Sequence, residues 1–269
     1  MSWAVIARQD WTLTVGERST KYLLGLLGFV VVVTAYVYPI GGPGPHTTGR
    51  FGGVVHGSLT TLVPIVGVLL GYNAVVSERE SGALRLSLSL PHSRADVVFG
   101  KFLGRTAVVA VALVASLAVA GFLVVYPFGE LEPLRYLAFV VFAVWFAGIW
   151  TGIGIAASIA AATKRRALVL ALFVFFVFVM LWDTVDSGVT LLLDFAGLID
   201  GELPGPLQFY FGLEPGRVFG RLTDGFVDPS ATVEGAWYLG EWVALVLFAL
   251  WLVVPLGLAY RRFARGELA

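Results

Sequence analysis

The sequence predicts an all-α integral membrane protein of six transmembrane helices, with an N-terminal interfacial amphipathic helix and re-entrant extracytoplasmic helices before the sixth span. Three observations carry this. Of 269 residues, 58% are hydrophobic and 13% charged, against about a quarter charged in soluble domains, and mean hydropathy is +0.86. Long apolar runs free of Asp, Glu, Lys and Arg recur, as in 51–76 and 106–129. Of the 18 Lys and Arg, all but Arg50, Arg135, Arg217 and Arg221 fall on the side that holds both termini. Basic residues near helix ends mark the cytoplasmic side, so both termini are expected in the cytoplasm of a multi-pass cell-membrane protein.

Residues 2–18 do not read as a signal peptide, because the first apolar run starts only at Tyr22 and no small-residue cleavage site follows it. At helical spacing Trp3, Ala4, Ala7, Trp11 and Val15 share a face, interrupted by Ile6 and Leu13. An interfacial helix with its Trp at headgroup level is expected. Tyr22–Ile40 is the first span, closed by Pro39 and a Gly/Pro turn. Val55–Val76 is the second, with Pro64 expected to kink it and Gly67 and Gly71 expected to permit close helix approach. Val97–Tyr126 is the third, rich in alanine (Ala107, Ala110, Ala112, Ala115, Ala118, Ala120), and Leu134–Ala162 is the fourth, with Gly148, Gly152 and Gly154 on a close-packing face. Ala167–Trp182 is the fifth and Trp242–Tyr260 the sixth. Between these two, Gly188–Ile199 and Leu207–Leu213 are apolar but too short to cross, which suits re-entrant or interfacial helices within an extracytoplasmic segment 183–236.

The second and third spans grip a dense charged island. It runs from Ser77-Glu-Arg-Glu-Ser-Gly-Ala-Leu through Ser89-Leu-Pro-His-Ser-Arg94 to Gly100-Lys101. Such charges belong at a membrane surface, and anything docking on a loop held by two spans can move both. Leu84, Leu86, Leu88 and Leu90 alternate with polar residues like a strand. A lone strand would leave its backbone unpaired, so a short helix is expected.

Catalytic and metal chemistry has little to build on. There is no cysteine, which removes thiol catalysis, disulfides and Cys-ligated metals. The three histidines, His46, His56 and His92, are scattered, so no metal site is expected. Neither a His-Glu-x-x-His motif nor a Gly-x-Ser-x-Gly elbow occurs. A phosphate-cradling loop is also missing: before Gly100-Lys101 the required glycine is Ala95, and Phe102 replaces the hydroxyl that should follow. If ATP drives this chain, another polypeptide binds it. Nothing indicates a nucleic-acid partner. An ATP-independent carrier or a membrane scaffold is the alternative class, and a co-purifying ATP-binding subunit separates the two.

The island resembles the first cytoplasmic loop of ABC-2 type transporter permeases. That family typically carries Glu-Arg-Glu-x-Gly-Thr-Leu, then Leu-x-x-Pro-x-x-Arg, then Gly-Lys entering the third helix; here Ala83 stands in place of the Thr. The loop also looks similar to that of permeases in exporters serving copper-enzyme maturation, although no Cys and only two Met leave this chain poorly equipped to handle copper itself. The resemblance implies one permease domain over 1–269, an interfacial helix at 2–18, and a coupling loop at 77–96 seated in a cleft of a separate ATP-binding subunit. It implies Glu78, Arg79, Glu80, Gly82, Leu84, Pro91, Arg94, Gly100 and Lys101 as the coupling residues. It further implies ATP and Mg on the partner rather than on this chain, and a homodimer or heterodimer with a second permease. The family's dimer path is lined mainly by the second and fifth helices. Most of its members export.

Overall fold

The computed structural model describes residues 2–41, 44–83, 93–126, 129–233 and 235–265. Its helices are α1 (Ser2–Gly16), α2 (Arg18–Val37), α3 (Thr48–Gly71), α4 (Val76–Ser81), α5 (Arg94–Val125), α6 (Pro133–Ala160), α7 (Lys164–Phe175), α8 (Trp182–Phe195), α9 (Gly205–Phe211), α10 (Pro215–Phe226) and α11 (Glu241–Arg265). Among the described residues, six stretches are long and apolar enough to cross a membrane: 18–40, 48–81, 94–125, 133–160, 164–195 and 241–265. The fold is therefore all-α with six spans, as the sequence predicts.

Most spans begin a turn or two before the apolar run that announces them, and polar caps explain where. Thr47 Oγ1 accepts from Arg50 N at 3.2 Å to start α3. Ser93 and Asp96 form a reciprocal capping box at α5. Thr163 accepts from Arg166 N at 3.3 Å to start α7. Each cap satisfies an amide that the first turn leaves without a partner.

The second and fourth spans make the most extensive contact in the molecule, with the first on the third, the sixth on the fourth, and α1 along the third. Close approach rests on particular glycines. A Cβ on Gly71 would sit 2.7 Å from Gly154 Cα, and one on Gly67 2.9 Å from Thr151 N, so these glycines let the two backbones touch. Gly148 and Gly152 have a different surrounding: added Cβ atoms would meet side chains, Leu252 at 3.3 Å and Phe102 at 3.5 Å. On the third span the alanines contribute less than their number suggests, since Ala115 and Ala118 are exposed. The tight contacts run through Gly100, Gly104 and Gly121 instead.

Two sequence expectations are corrected, and the second span holds a break that the sequence does not announce. Its helix runs on past Pro64 and is interrupted at 72–75. There Ser158 Oγ of α6 accepts from Val75 N at 2.9 Å and from Val76 N at 3.0 Å, satisfying amides that the break frees. The stripe on α1 is shifted: Asp10 and Thr14 are buried and Ile6 half-buried, whereas Ala4 and Val15 are exposed. Finally, Gly188 to Phe195 is not a separate short helix. It continues the fifth span through a π-helical stretch, Phe176–Leu181. Asp183 and Asp186, at i,i+3, share one face of it, and Arg217 of α10 pairs with both, at 2.6 Å each.

The short helix most enclosed by the bundle is α10, whose Val218, Phe219 and Leu222 are buried. Phe219 stacks between Phe146 (4.9 Å) and Phe139 (5.9 Å), and Phe248 of the sixth span closes the column at 6.1 Å from it. Offset aromatic pairs of this kind add to simple burial.

Candidate functional site

The site is built around α4, a helix of six residues that opens the island just after the break in the second span. Its three charged residues reach three different spans. Glu78 accepts from Lys101 Nζ of the third span at 2.7 Å. Arg79 Nη1 donates to Ala161 O at 2.9 Å and to Ile159 O at 3.4 Å, covering carbonyls that the end of the fourth span leaves unpaired. Glu80 accepts from Lys164 N at 2.9 Å, at the first turn of the fifth, where a carboxylate also meets the positive end of the helix dipole. Gly82 then ends α4 with φ +76° and nothing within 4 Å of an added Cβ. Its hydrogen thus serves the backbone turn rather than a close contact.

Arg94, at the far edge of the island, donates to Phe263 O and lies 5.3 Å above the Phe263 ring, fastening the end of the sixth span. Leu84 and Pro91 lie outside the described residues, as does the expected short helix of the alternating leucines.

Beneath α4 is a buried ionic network that links the island to α1. Lys101 is 4% exposed and holds both Glu78 and, at 3.4 Å, Asp10 of α1. One turn further along the third span, Arg105 Nε donates to Asp10 Oδ2 at 3.0 Å. Its Nη1 donates to Leu70 O and Asn73 Oδ1, on the second span where that helix breaks. Gly100 is covered by α1: an added Cβ would lie 2.8 Å from Trp3 O and from Ile6 Cβ. So the structure brings Glu78, Gly100 and Lys101 together under α1, and leaves Glu80 exposed and Gly82 half-buried.

Asp10, Arg105 and Ser158 were not singled out by sequence reasoning. Asp10 is the sole acid in α1, one turn from Ala7 and next to Trp11, and Arg105 follows Lys101 by four residues. An acid beside an apolar stripe together with two cations at i,i+4 is the signal that would have found the pair. Buried ions persist only when paired, and here every member has an opposite charge.

At the opposite end, α10 carries its own charges. Glu214 is buried and caps the helix, its carboxylate accepting from Gly216 N (2.7 Å) and Arg217 N (2.6 Å). Burial pushes its pKa up to about 7 against the pull of those two amides. Burial also raises the Asp224 carboxyl and lowers Arg221. Among the described residues, no group of three or more His, Cys, Asp or Glu could hold a metal ion.

Six apolar helices, with buried charges joining several elements at one end, define a multi-pass membrane protein. The chain belongs to the ABC-2 family of transporter proteins, whose model matches residues 6–268. It is 29% identical over 218 residues to the probable ABC transporter permease protein NosY of Stutzerimonas stutzeri. With the protein of the same name from Pseudomonas aeruginosa the identity is 30% over 219 residues, and each comparison spans 77% of this chain and 76% of the relative. It is thus a membrane permease of an ABC transporter, and that membership implies an ATP-binding subunit as partner.

Proposed function

We propose that this permease couples ATP hydrolysis by a separate subunit to export, with α4 and the island as the lever. The observation that carries the reading is the three-way tie of α4: one displacement of Glu78, Arg79 and Glu80 is passed to the third, fourth and fifth spans together. Glu80, exposed at the tip, and the half-buried Gly82 beside it are the docking contacts, while Gly100 and Lys101 seat the lever from below. ATP and Mg belong to the partner, and both termini lie in the cytoplasm with the island.

The working unit is a pair of permeases. The fifth span has 32 residues, about 48 Å at 1.5 Å per residue, against a hydrocarbon core about 30 Å thick. Its far end still exposes Leu191, Leu192 and Phe195. Apolar side chains reaching beyond the lipid call for protein cover, and a second copy brings the same surface to meet it.

The test is ATPase activity and transport by the reconstituted complex with Glu80→Gln and Gly82→Val, beside permease abundance in membranes. Glutamine at position 80 can still accept from Lys164 N, so it removes only the charge offered to the partner. Valine at 82 forces a left-handed residue, at about 1–2 kcal/mol, and redirects the tip. Normal membrane levels with loss of stimulated hydrolysis are expected. Full coupling in both variants would reduce the island to a hinge.

A further inference from the structure

We propose that a phosphatidylethanolamine molecule binds between the first and second spans, at the end of the bundle opposite the island. A cavity of about 740 Å³ opens there, within the roughly 300–1,000 Å³ of small-molecule sites. Its deep wall is apolar, with Val33 and Val37 of α2 facing Val54 of α3, all exposed to whatever occupies the space. Its mouth is polar, formed by Arg50, His46 and Asp228.

Two opposite charges at that mouth do not neutralise each other. Arg50 enters none of the ion pairs among the described residues, and its guanidinium reaches only Pro45 O, at 3.4 Å. Asp228 accepts from Ser230 N and Oγ through Oδ1, at 2.8 and 2.6 Å, and meets no cation among the described residues. Its other oxygen lies over Gly53, where an added Cβ would be 2.4 Å away. Gly53 is one turn along α3 from Arg50, so the positive and negative groups stand side by side on one helix face.

A cation beside an anion, above an apolar slot at the edge of a membrane, is the complement of a zwitterionic headgroup on an acyl chain. The phosphate meets Arg50, the form of anion a guanidinium binds best; His46 stands beside it. The ammonium meets Asp228, and the upper chain carbons lie along Val33, Val37 and Val54. A headgroup without the amine, such as phosphatidylglycerol, supplies the phosphate but leaves Asp228 facing an uncharged group. The inference does not depend on how the permease is driven.

The test is native mass spectrometry of the purified full chain after equilibration with equal phosphatidylethanolamine and phosphatidylglycerol. The wild type is expected to retain one phosphatidylethanolamine, at about tenfold preference. Asp228→Asn should erase the preference while keeping lipid, and Arg50→Gln should lower retention of both lipids about tenfold. Val54→Trp leaves both charges and fills the slot, and should also lose the lipid at an unchanged melting temperature. Equal retention of the two lipids by the wild type would overturn the assignment. So would variants that hold phosphatidylethanolamine normally, or displacement by millimolar inorganic phosphate, which would make this a soluble-anion site.

Discussion

The two ends of this bundle treat charge in opposite ways. At the island end Asp10, Lys101 and Arg105 are 5%, 4% and 9% exposed, and each contacts another helix. At the other end the Asp183 side chain is 78% exposed and shares Arg217 with Asp186. A buried pair cannot be replaced by water without a large penalty, whereas an exposed one can. The charges at the island end are therefore held where water cannot stand in for a partner, whereas the exposed pair at the opposite end is held where it can.

The largest break in this comparison is expected from Asp10→Asn. It keeps the shape but leaves Lys101 with Glu78 alone and Arg105 with neutral oxygens only. Removing one member of a buried ionic set costs about 3–5 kcal/mol. Thermal unfolding of the purified protein should show the loss, with faster amide exchange across α1 and little change in α10. A variant that melts like the wild type would remove the distinction between the ends.

Glu214 sharpens the comparison, being the buried charge at the otherwise open end. Its folded pKa of about 7 lies above the ordinary 4.5, so the folded chain binds the proton more tightly than the unfolded one. Its contribution to stability is complete below about pH 4.5 and is lost as pH rises through 7. The swing is on the order of 3 kcal/mol, at about 1.4 kcal/mol per unit. Wild type minus Glu214→Gln, measured as melting against pH, should show it; parallel curves between pH 4.5 and 7 would count against a buried carboxyl there.

Next comes the glycine contact in mid-bundle. Gly71→Ala drives a Cβ to within 2.8 Å of the fourth span's backbone, whereas Gly152→Ala meets only the Phe102 ring at 3.5 Å. Overpacking against backbone costs about 1–3 kcal/mol, so the first should destabilise and the second leave melting within about 0.5 kcal/mol. Equal effects would mean that side chains, not backbone contact, set the spacing of the two spans.

Much of this was legible in the sequence. Six apolar runs yielded six spans, since length and composition alone decide what can cross. The Gly67/Gly71 spacing marked a true backbone contact. The island was visible as charge between apolar runs, but its partners were not, because Ile159, Ala161 and Phe263 contribute carbonyl oxygens that every residue has. Asp10 was hidden for another reason: a single acid on a short amphipathic helix looks solvated until its cations are known to lie across from it. The extent of the fifth span and the burial of α10 share one cause. Asp183, Asp186 and Arg217 each look like a reason to stop being membrane-like, and only their pairing cancels that.

The smallest effect should come from that same pairing. Arg217→Gln removes two ion pairs in a site where Arg217 is a third exposed and Asp183 mostly so. Water can take over much of what the guanidinium supplied, and such pairs contribute about 0–1 kcal/mol. The α10 cap does not depend on the side chain, since Glu214 binds the backbone N–H of residue 217. Melting should therefore barely move. What should change is local: without Arg217 to hold them, Asp183 and Asp186 leave α8 joined to the bundle mainly by Trp182, whose indole Nε1 donates to Phe211 O at 2.9 Å. Hydrogen exchange across 183–195 is expected to quicken while the island end stays protected, because local opening follows local contacts. If exchange rises equally at both ends, the bundle opens as a whole, and the contrast between the two ends fails.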